Sequence, residues 1–490
     1  MDCGRKAVIL IFLVMLLLVN VMCMVKGNIV FEVHHKYGGL GQATATLSAL
    51  REHDFRRHGR MLGSIDFQLR GDGSFYNAAL YYTKITIGTP PVDYHVQVDT
   101  GSDILWVNCQ NCERCPTKSD FNIPLKQYDL KASSTGQTVS CDQDFCAAEF
   151  DRPNLNCKVG KKCEYIVAYG DGSRTEGYFV RDFFKLDQVT GNLQTSLMNG
   201  SIAFGCSAKQ SEGFVSSSGA LDGIIGFGQA NTSILSQLAS SGKVKKIFSH
   251  CLNHKKGGGI FAIGEVVQPK VNRIKLVPNQ PHYNVVLKGV EVGGQLLNLP
   301  SALFDGGLGR RATIDSGTTL AYLPSEVYQQ LLDKIIAHRS DLKTYVVEQR
   351  FTCFWYSGNV DDEFPVVGFH FEDSISLPVY PHNYLLKVKD KEYCIGWQNS
   401  KTHTKKGREI TLLGDIVLSD KLILYDLENQ NIGWTEYDCL SSIQVRDEVS
   451  GNAYSVGAHS ISSALCPSAV DVGSFLLLIT ALFYLIEGTS

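Results

Sequence analysis

The 490-residue sequence has no long run of lysine or arginine, and its formal charge is only −3 at pH 7. A chain so near neutrality has no general attraction to nucleic acid or to an anionic bilayer. No low-complexity proline or serine tract is present, which removes a structural wall glycoprotein. Histidines are scattered without metal-ligand spacing; His250, His282 and His370 read as ordinary core or surface residues. No metal and no cofactor are therefore expected. Neither apolar run at the chain ends reaches the roughly 20 residues of a bilayer-spanning helix.

The residues that are present describe a globular chain, 44% hydrophobic and 19% charged, with 46 glycines that imply many turns and short strands. Its length suits two or three domains or one large bilobal unit. Arg5 and Lys6 precede an apolar run from Ala7 to Val19, the pattern of a secretory signal peptide ending near Gly27, the alternative being an uncleaved anchor. At the other end Val472 to Ile486 is apolar, and no Lys or Arg follows Arg446. A stop-transfer helix normally carries flanking cations. Small residues Ser460, Ser462, Ser463 and Ala464, a spacer and a moderate apolar tail fit a GPI-attachment signal with Ser462 or Ser463 as the site; a short transmembrane tail is the alternative.

Fifteen cysteines make an odd number, but Cys3 and Cys23 would leave with the signal peptide and Cys466 with the tail. The remaining Cys109, Cys112, Cys115, Cys141, Cys146, Cys157, Cys163, Cys206, Cys251, Cys353, Cys394 and Cys439 form an even set, as expected for disulfides in a secreted chain. Zinc is the competing reading of the Cys109, Cys112, Cys115 spacing. Cys141, Cys146, Cys157 and Cys163 are close enough to staple one loop, with nested pairing expected. Sequons at Asn199 and Asn231 fit the same secretory route.

From Asn28 to about Arg70 no clear strand is visible, and the run "REHDFRRHGR" is basic and histidine-bearing. It reads as a pro-segment whose cations pair with acidic groups, or as a linker. From Tyr81 the pattern becomes β: "YYTKITIGTPP" and "YHVQVDTG" alternate, and strands of four to eight residues recur to about Asp438. One helix stands out, "LPSEVYQQLLDKIIAH", with Val327, Leu331 and Ile335 on one face.

The chain also repeats itself. "VQVDTGSDILWV" at 96–107 resembles "ATIDSGTTLAYL" at 312–323, and each is followed by a distant apolar-apolar-Gly element, "DGIIGFG" and "TLLGDIVL". Two such pairs in the same order imply a duplicated half. If the halves face each other, Asp99 and Asp315 meet. Two adjacent carboxylates share one proton, so one accepts a proton from water while the other donates to a carbonyl. That is chemistry for amide hydrolysis without a covalent intermediate. Gly101 and Gly317 permit tight turns there, and Ser102 and Thr318 supply hydroxyls that orient the carboxylates.

On these motifs the chain resembles the pepsin-like aspartic proteases, and more narrowly the plant nepenthesin-like group, over roughly residues 78–440. The resemblance implies a mostly β, bilobal acid-protease fold with the site in the cleft between two related lobes. It implies Asp99 and Asp315 as catalytic, supported by Thr100, Gly101, Ser102, Ser316, Gly317 and Thr318. It also implies a flap hairpin at 165–180, whose Tyr169 closes over substrate and hydrogen-bonds Trp106, with Gly170, Gly172 and Gly177 permitting motion. A cysteine-rich insertion at 109–163 belongs to that group. The saposin-like insertion of typical vacuolar members has no room in the second lobe. Serine in place of threonine in the second motif keeps the hydroxyl.

The expected organisation is a signal peptide (1–27), a pro-segment (28–71), an N-terminal lobe (72–278), a C-terminal lobe (279–440), a linker (441–463) and a removed GPI signal (464–490). The expected function is an aspartic endopeptidase with an acidic optimum. It would be monomeric, act on peptide or protein substrates and sit on the outer face of the plasma membrane. The alternative is a catalytically silent binding or inhibitor protein on the same fold. Retention of both aspartates and the flap tyrosine favours the enzyme.

Overall fold

The computed structural model describes residues 29–35, 81–119, 123–150, 157–158, 160–169, 173–215, 220–254, 258–300, 311–348, 350–389, 391–402, 409–447, 450–457 and 462–463. The expected signal peptide, most of the expected pro-segment, residues 170–172 of the expected flap and the residues beyond 463 lie outside them. The described chain is mostly strand, as the turn-rich, alternating sequence requires.

Alternation places Tyr81–Ile87 against Val92–Asp99 as an antiparallel hairpin with one buried face. The helix Ser325–Ala337 forms where expected and buries Val327, Leu331 and Ile335. A second helix, Ile234–Ser240, carries no long apolar stripe; Ser233 caps it by accepting from Ser236 N–H.

Two expectations about strands change. Arg174–Gly191 and Gln194–Gln210 form a hairpin of 18- and 17-residue strands, longer than the four to eight expected. Register shifts near Gly177 and Gly191 let one ribbon serve several neighbours in turn. The segment after residue 28 also contains a strand. Ile29–His35 pairs antiparallel with Gly259–Ile263 and touches Tyr81–Tyr82 and Asp187–Gln188. Its β-branched and aromatic residues favour that conformation, but its partners lie far along the chain.

The two parts of the chain meet in a shared sheet. Ile247–Leu252 pairs on one side with Gly259–Ile263 and on the other with Lys421–Asp426, which turns back into Asn431–Glu436 and then Asn272–Lys275. Strands from both sides of residue 278 therefore lie in one sheet. Above it, Phe227, Phe248, Phe261, Tyr283 and Tyr425 join a core continuous through both lobes.

All twelve expected cysteines pair: Cys109–Cys206, Cys112–Cys115, Cys141–Cys157, Cys146–Cys163, Cys251–Cys439 and Cys353–Cys394. The zinc reading of the first three therefore falls, since none keeps a thiol. The loop pairing is interleaved, not nested. Cys163 N–H bonds Val139 O, which packs Cys163 into the buried cluster reached by Cys146 on the helix Asp144–Phe150, and Cys141 is left to Cys157.

Candidate active site

Each aspartate loop is built by the same three strands. Val92–Asp99 runs parallel to Gly223–Gly226, and Leu105–Glu113 returns antiparallel on the other side of that strand. In the second half, Arg311–Ile314 runs parallel to Thr411–Leu413, and Ala321–Leu323 returns antiparallel. The apolar-apolar-Gly elements are thus the middle strands. Their glycines are required by close approach. A Cβ at Gly226 would sit 2.6 Å from Ser102 O, and one at Gly414 2.3 Å from Thr318 O.

Asp99 and Asp315 are both almost completely buried. Asp99 Oδ1 accepts from Gly101 N–H at 2.6 Å and Ser102 N–H at 3.1 Å, and Oδ2 accepts from the Ser102 hydroxyl. Asp315 Oδ1 accepts from Gly317 N–H at 2.7 Å, and Oδ2 from the Thr318 hydroxyl at 2.8 Å. Glycine N–H on one oxygen and a hydroxyl three residues on for the other is the same pattern twice. The expected orienting hydroxyls are the observed ones.

The loops interlock. Ser316 N–H donates to Thr100 Oγ1 at 2.9 Å, and the Ser316 hydroxyl lies 3.3 Å from the same oxygen. A Cβ at Gly101 would fall 2.7 Å from both Asp315 carboxylate oxygens, so only glycine lets the first loop lie against the second aspartate. The structure therefore brings Asp99, Thr100, Gly101 and Ser102 together with Asp315, Ser316, Gly317 and Thr318.

The flap is the hairpin of Glu164–Ala168 and Arg174–Gly191, with Tyr169 N–H bonded to Ser173 O at its end. Trp106 Nε1–H donates to Tyr169 Oη at 2.7 Å, the contact expected of this pair. Phe214 packs edge-on against both rings. Gly170 and Gly172 lie outside the described residues. Gly177 answers to packing, since a Cβ there would meet Cys206 O at 2.0 Å. The cysteine-rich segment buttresses the flap base, with Cys141, Cys146 and Cys163 in one cluster with Trp106, Tyr165 and Tyr169.

Sequence reading missed what lies behind the dyad. Tyr425 is fully buried, is hydrogen-bonded to Thr100, and has its hydroxyl 3.0 Å from His250 Nε2. Burial, with Asp315 and Asp415 nearby, holds the Tyr425 phenol far above its usual range. Burial alone pushes His250 down to about 3, so it is a neutral core histidine. Only the largely apolar strands carrying these residues, buried at every position, signalled burial. His282 is buried, and His370 lies at the surface between Ser376 and Glu291. Asn199 and Asn231 are exposed. Ser462 and Ser463 form a short strand beside Gln194 and Thr195.

Comparison with known proteins gives a consistent picture. Residues 81–265 match the family model described as xylanase inhibitor N-terminal, and residues 282–436 match xylanase inhibitor C-terminal. Aspartic proteinase 36 of Arabidopsis thaliana is 49% identical over 476 residues, 96% of each chain. Aspartic proteinase nepenthesin-2 of Nepenthes gracilis is 30% identical over 388 residues, 76% of this chain and 79% of that one. Among solved structures, edgp superposes with a TM-score of 0.60 at 17% identity, covering 84% of this chain and 95% of that one. Soybean basic 7S globulin superposes with a TM-score of 0.58 at 17% identity, covering 85% and 98%. These two likenesses establish the two-lobe, pepsin-like fold.

Proposed function

The chain belongs to the plant aspartic proteinase family whose two halves match the xylanase-inhibitor N- and C-terminal models, and from that premise we propose that it is an active aspartic endopeptidase. The observation that carries the reading is the equivalent bonding of Asp99 and Asp315 across interlocked loops. An inactive scaffold has no need of a second buried carboxylate against Gly101.

The reaction follows from one proton held between two carboxylates, as in other aspartic proteases. The ionised member takes a proton from a water lying between them as the water oxygen attacks the peptide carbonyl carbon. The protonated member gives its proton to the carbonyl oxygen. The resulting gem-diol collapses, the C–N bond breaks, and the amine leaves with a proton returned by the dyad. Glycine N–H groups and the Ser102 and Thr318 hydroxyls hold the carboxylates without reorganisation.

Finer features belong to the same proposal: the nepenthesin-like group, entry to the secretory pathway, glycans on Asn199 and Asn231, a monomer, a pro-segment, and a GPI anchor at the outer plasma membrane. Peptide hydrolysis by the purified chain should follow a bell-shaped pH profile with an acidic optimum and be blocked by pepstatin. Asp99→Asn and Asp315→Asn should each abolish it, with the double variant hardly worse, because the pair acts as a unit. N-terminal sequencing after acidification should find a new terminus between about residues 71 and 81. Full activity with no such cut would make the segment a linker.

A second reading, a binding or inhibitor protein on this fold, draws support from the xylanase-inhibitor description of both matching models. Substantial hydrolysis by Asp315→Asn, or none by the wild type at any pH, would leave that reading standing.

A further inference from the structure

Away from the aspartate pair, one cluster of ligand-type side chains joins both halves of the chain. His254 follows the strand Ile247–Leu252, His382 lies in the short helix Pro381–Tyr384, and Asp420 occupies the turn before Lys421–Asp426. One donor atom from each lies within 4.8 Å of the others. The His254 side chain is only 7% exposed, and its Nδ1 lies against Asp420 Oδ2 as an ion pair. His382 Nε2 lies 3.6 Å from the same oxygen. The two imidazoles are nearly parallel, 4.7 Å between centroids.

Two imidazoles that converge on one carboxylate hold it either as charged rings or as neutral ligands around a shared cation. Asp361 strengthens the case. Both its oxygens lie 2.8 Å from His382 Nδ1, which holds the ring with Nε2 facing Asp420. A carboxylate behind a ligating histidine is the usual outer support of a metal site. The other candidate grouping, Cys141, Asp142 and Cys157, has its sulfurs spent in a disulfide.

We infer that His254, His382 and Asp420 form a binding site for a divalent transition-metal ion, zinc by ligand type, with Asp361 orienting His382. Two imidazoles and one carboxylate suit zinc, a water completing the tetrahedron. Calcium and magnesium require more oxygen ligands. The ion clamps His254, in the N-terminal half, onto His382 and Asp420 in the C-terminal half. It does not depend on whether the dyad is active.

The test uses the purified full chain, stripped with a chelator at neutral pH. It is titrated with zinc chloride by calorimetry and with cobalt(II) by visible absorption. We expect one saturable equivalent, a tetrahedral cobalt spectrum displaced by zinc, and a melting temperature raised by zinc. His254→Gln and Asp420→Asn should abolish all three effects, and Asp361→Asn should weaken binding by about 10- to 100-fold. No saturable binding to the wild type would overturn the site and leave a network of ion pairs. So would zinc binding that survives His254→Gln, which would point to histidines elsewhere. The wild-type titration stands even if a variant fails to fold.

Discussion

Behind the dyad, four residues are linked by hydrogen bonds. Ser316 N–H donates to Thr100 Oγ1, Thr100 is hydrogen-bonded to Tyr425, and the Tyr425 hydroxyl meets His250 Nε2. His250 is neutral in this buried place. Its burial lowers its pKa from 6.5 to about 3, so the unfolded chain binds a proton that the folded chain refuses between those values. Its contribution to stability is therefore complete above about pH 6.5 and declines as pH falls toward 3. By pH 4 the loss is on the order of 3 kcal/mol. His250→Gln should be less stable than the wild type at pH 7 yet lose less on acidification, read as melting temperature at pH 7 and pH 4. A variant with the same acid dependence as the wild type would show that other groups govern it. The aspartates were legible because a carboxylate between two apolar runs demands an explanation. His250 and Tyr425 were not, since a polar residue in a short apolar strand looks the same until its partner, 175 positions away, is known.

Among the elements, those whose pattern is local were readable: the hairpin Tyr81–Asp99, the helix Ser325–Ala337, the flap, and the paired motif strands. Those whose stability comes from distant partners were not, as with Ile29–His35 and the long ribbon Arg174–Gln210. The flap shows the difference within one element. Its hairpin is local, but its position is set by Trp106 on another strand and by the Cys146–Cys163 bridge. The Trp106–Tyr169 bond is buried, and such a bond contributes roughly 0.5–1.5 kcal/mol. If it holds the flap in its working position, Tyr169→Phe and Trp106→Phe should each lower kcat/KM by about three- to tenfold. The double variant should be no worse than either, because both remove one interaction. Additive losses would mean that the two residues act separately.

At the scale of the whole molecule, closure is covalent as well as hydrophobic. Cys251–Cys439 ties the shared sheet to the end of the last long hairpin across 188 residues, a loop whose closure entropy is on the order of 5 kcal/mol. Twelve of fifteen cysteines are consumed in six bridges, leaving Cys3, Cys23 and Cys466, all in the terminal segments outside the described residues. An odd thiol at position 466 in a secreted chain would invite intermolecular pairing, and removal of the tail disposes of it. Ser455 N–H bonds Asn192, Leu193 N–H bonds Ser455 O, and Ser462 and Ser463 pair beside Gln194 and Thr195. Among the described residues no helix is long and apolar enough to cross a membrane. The apolar tail at 472–486 is short and lacks flanking cations, so exchange for a glycolipid near Ser462 or Ser463 accounts for both the charge pattern and the cysteine count. Phosphatidylinositol-specific phospholipase C applied to intact cells should therefore release the protein into the medium, without residues 464–490. Retention on the cells, with peptides from 464–490 detected by mass spectrometry, would assign the tail to a transmembrane segment and leave Cys466 a free thiol.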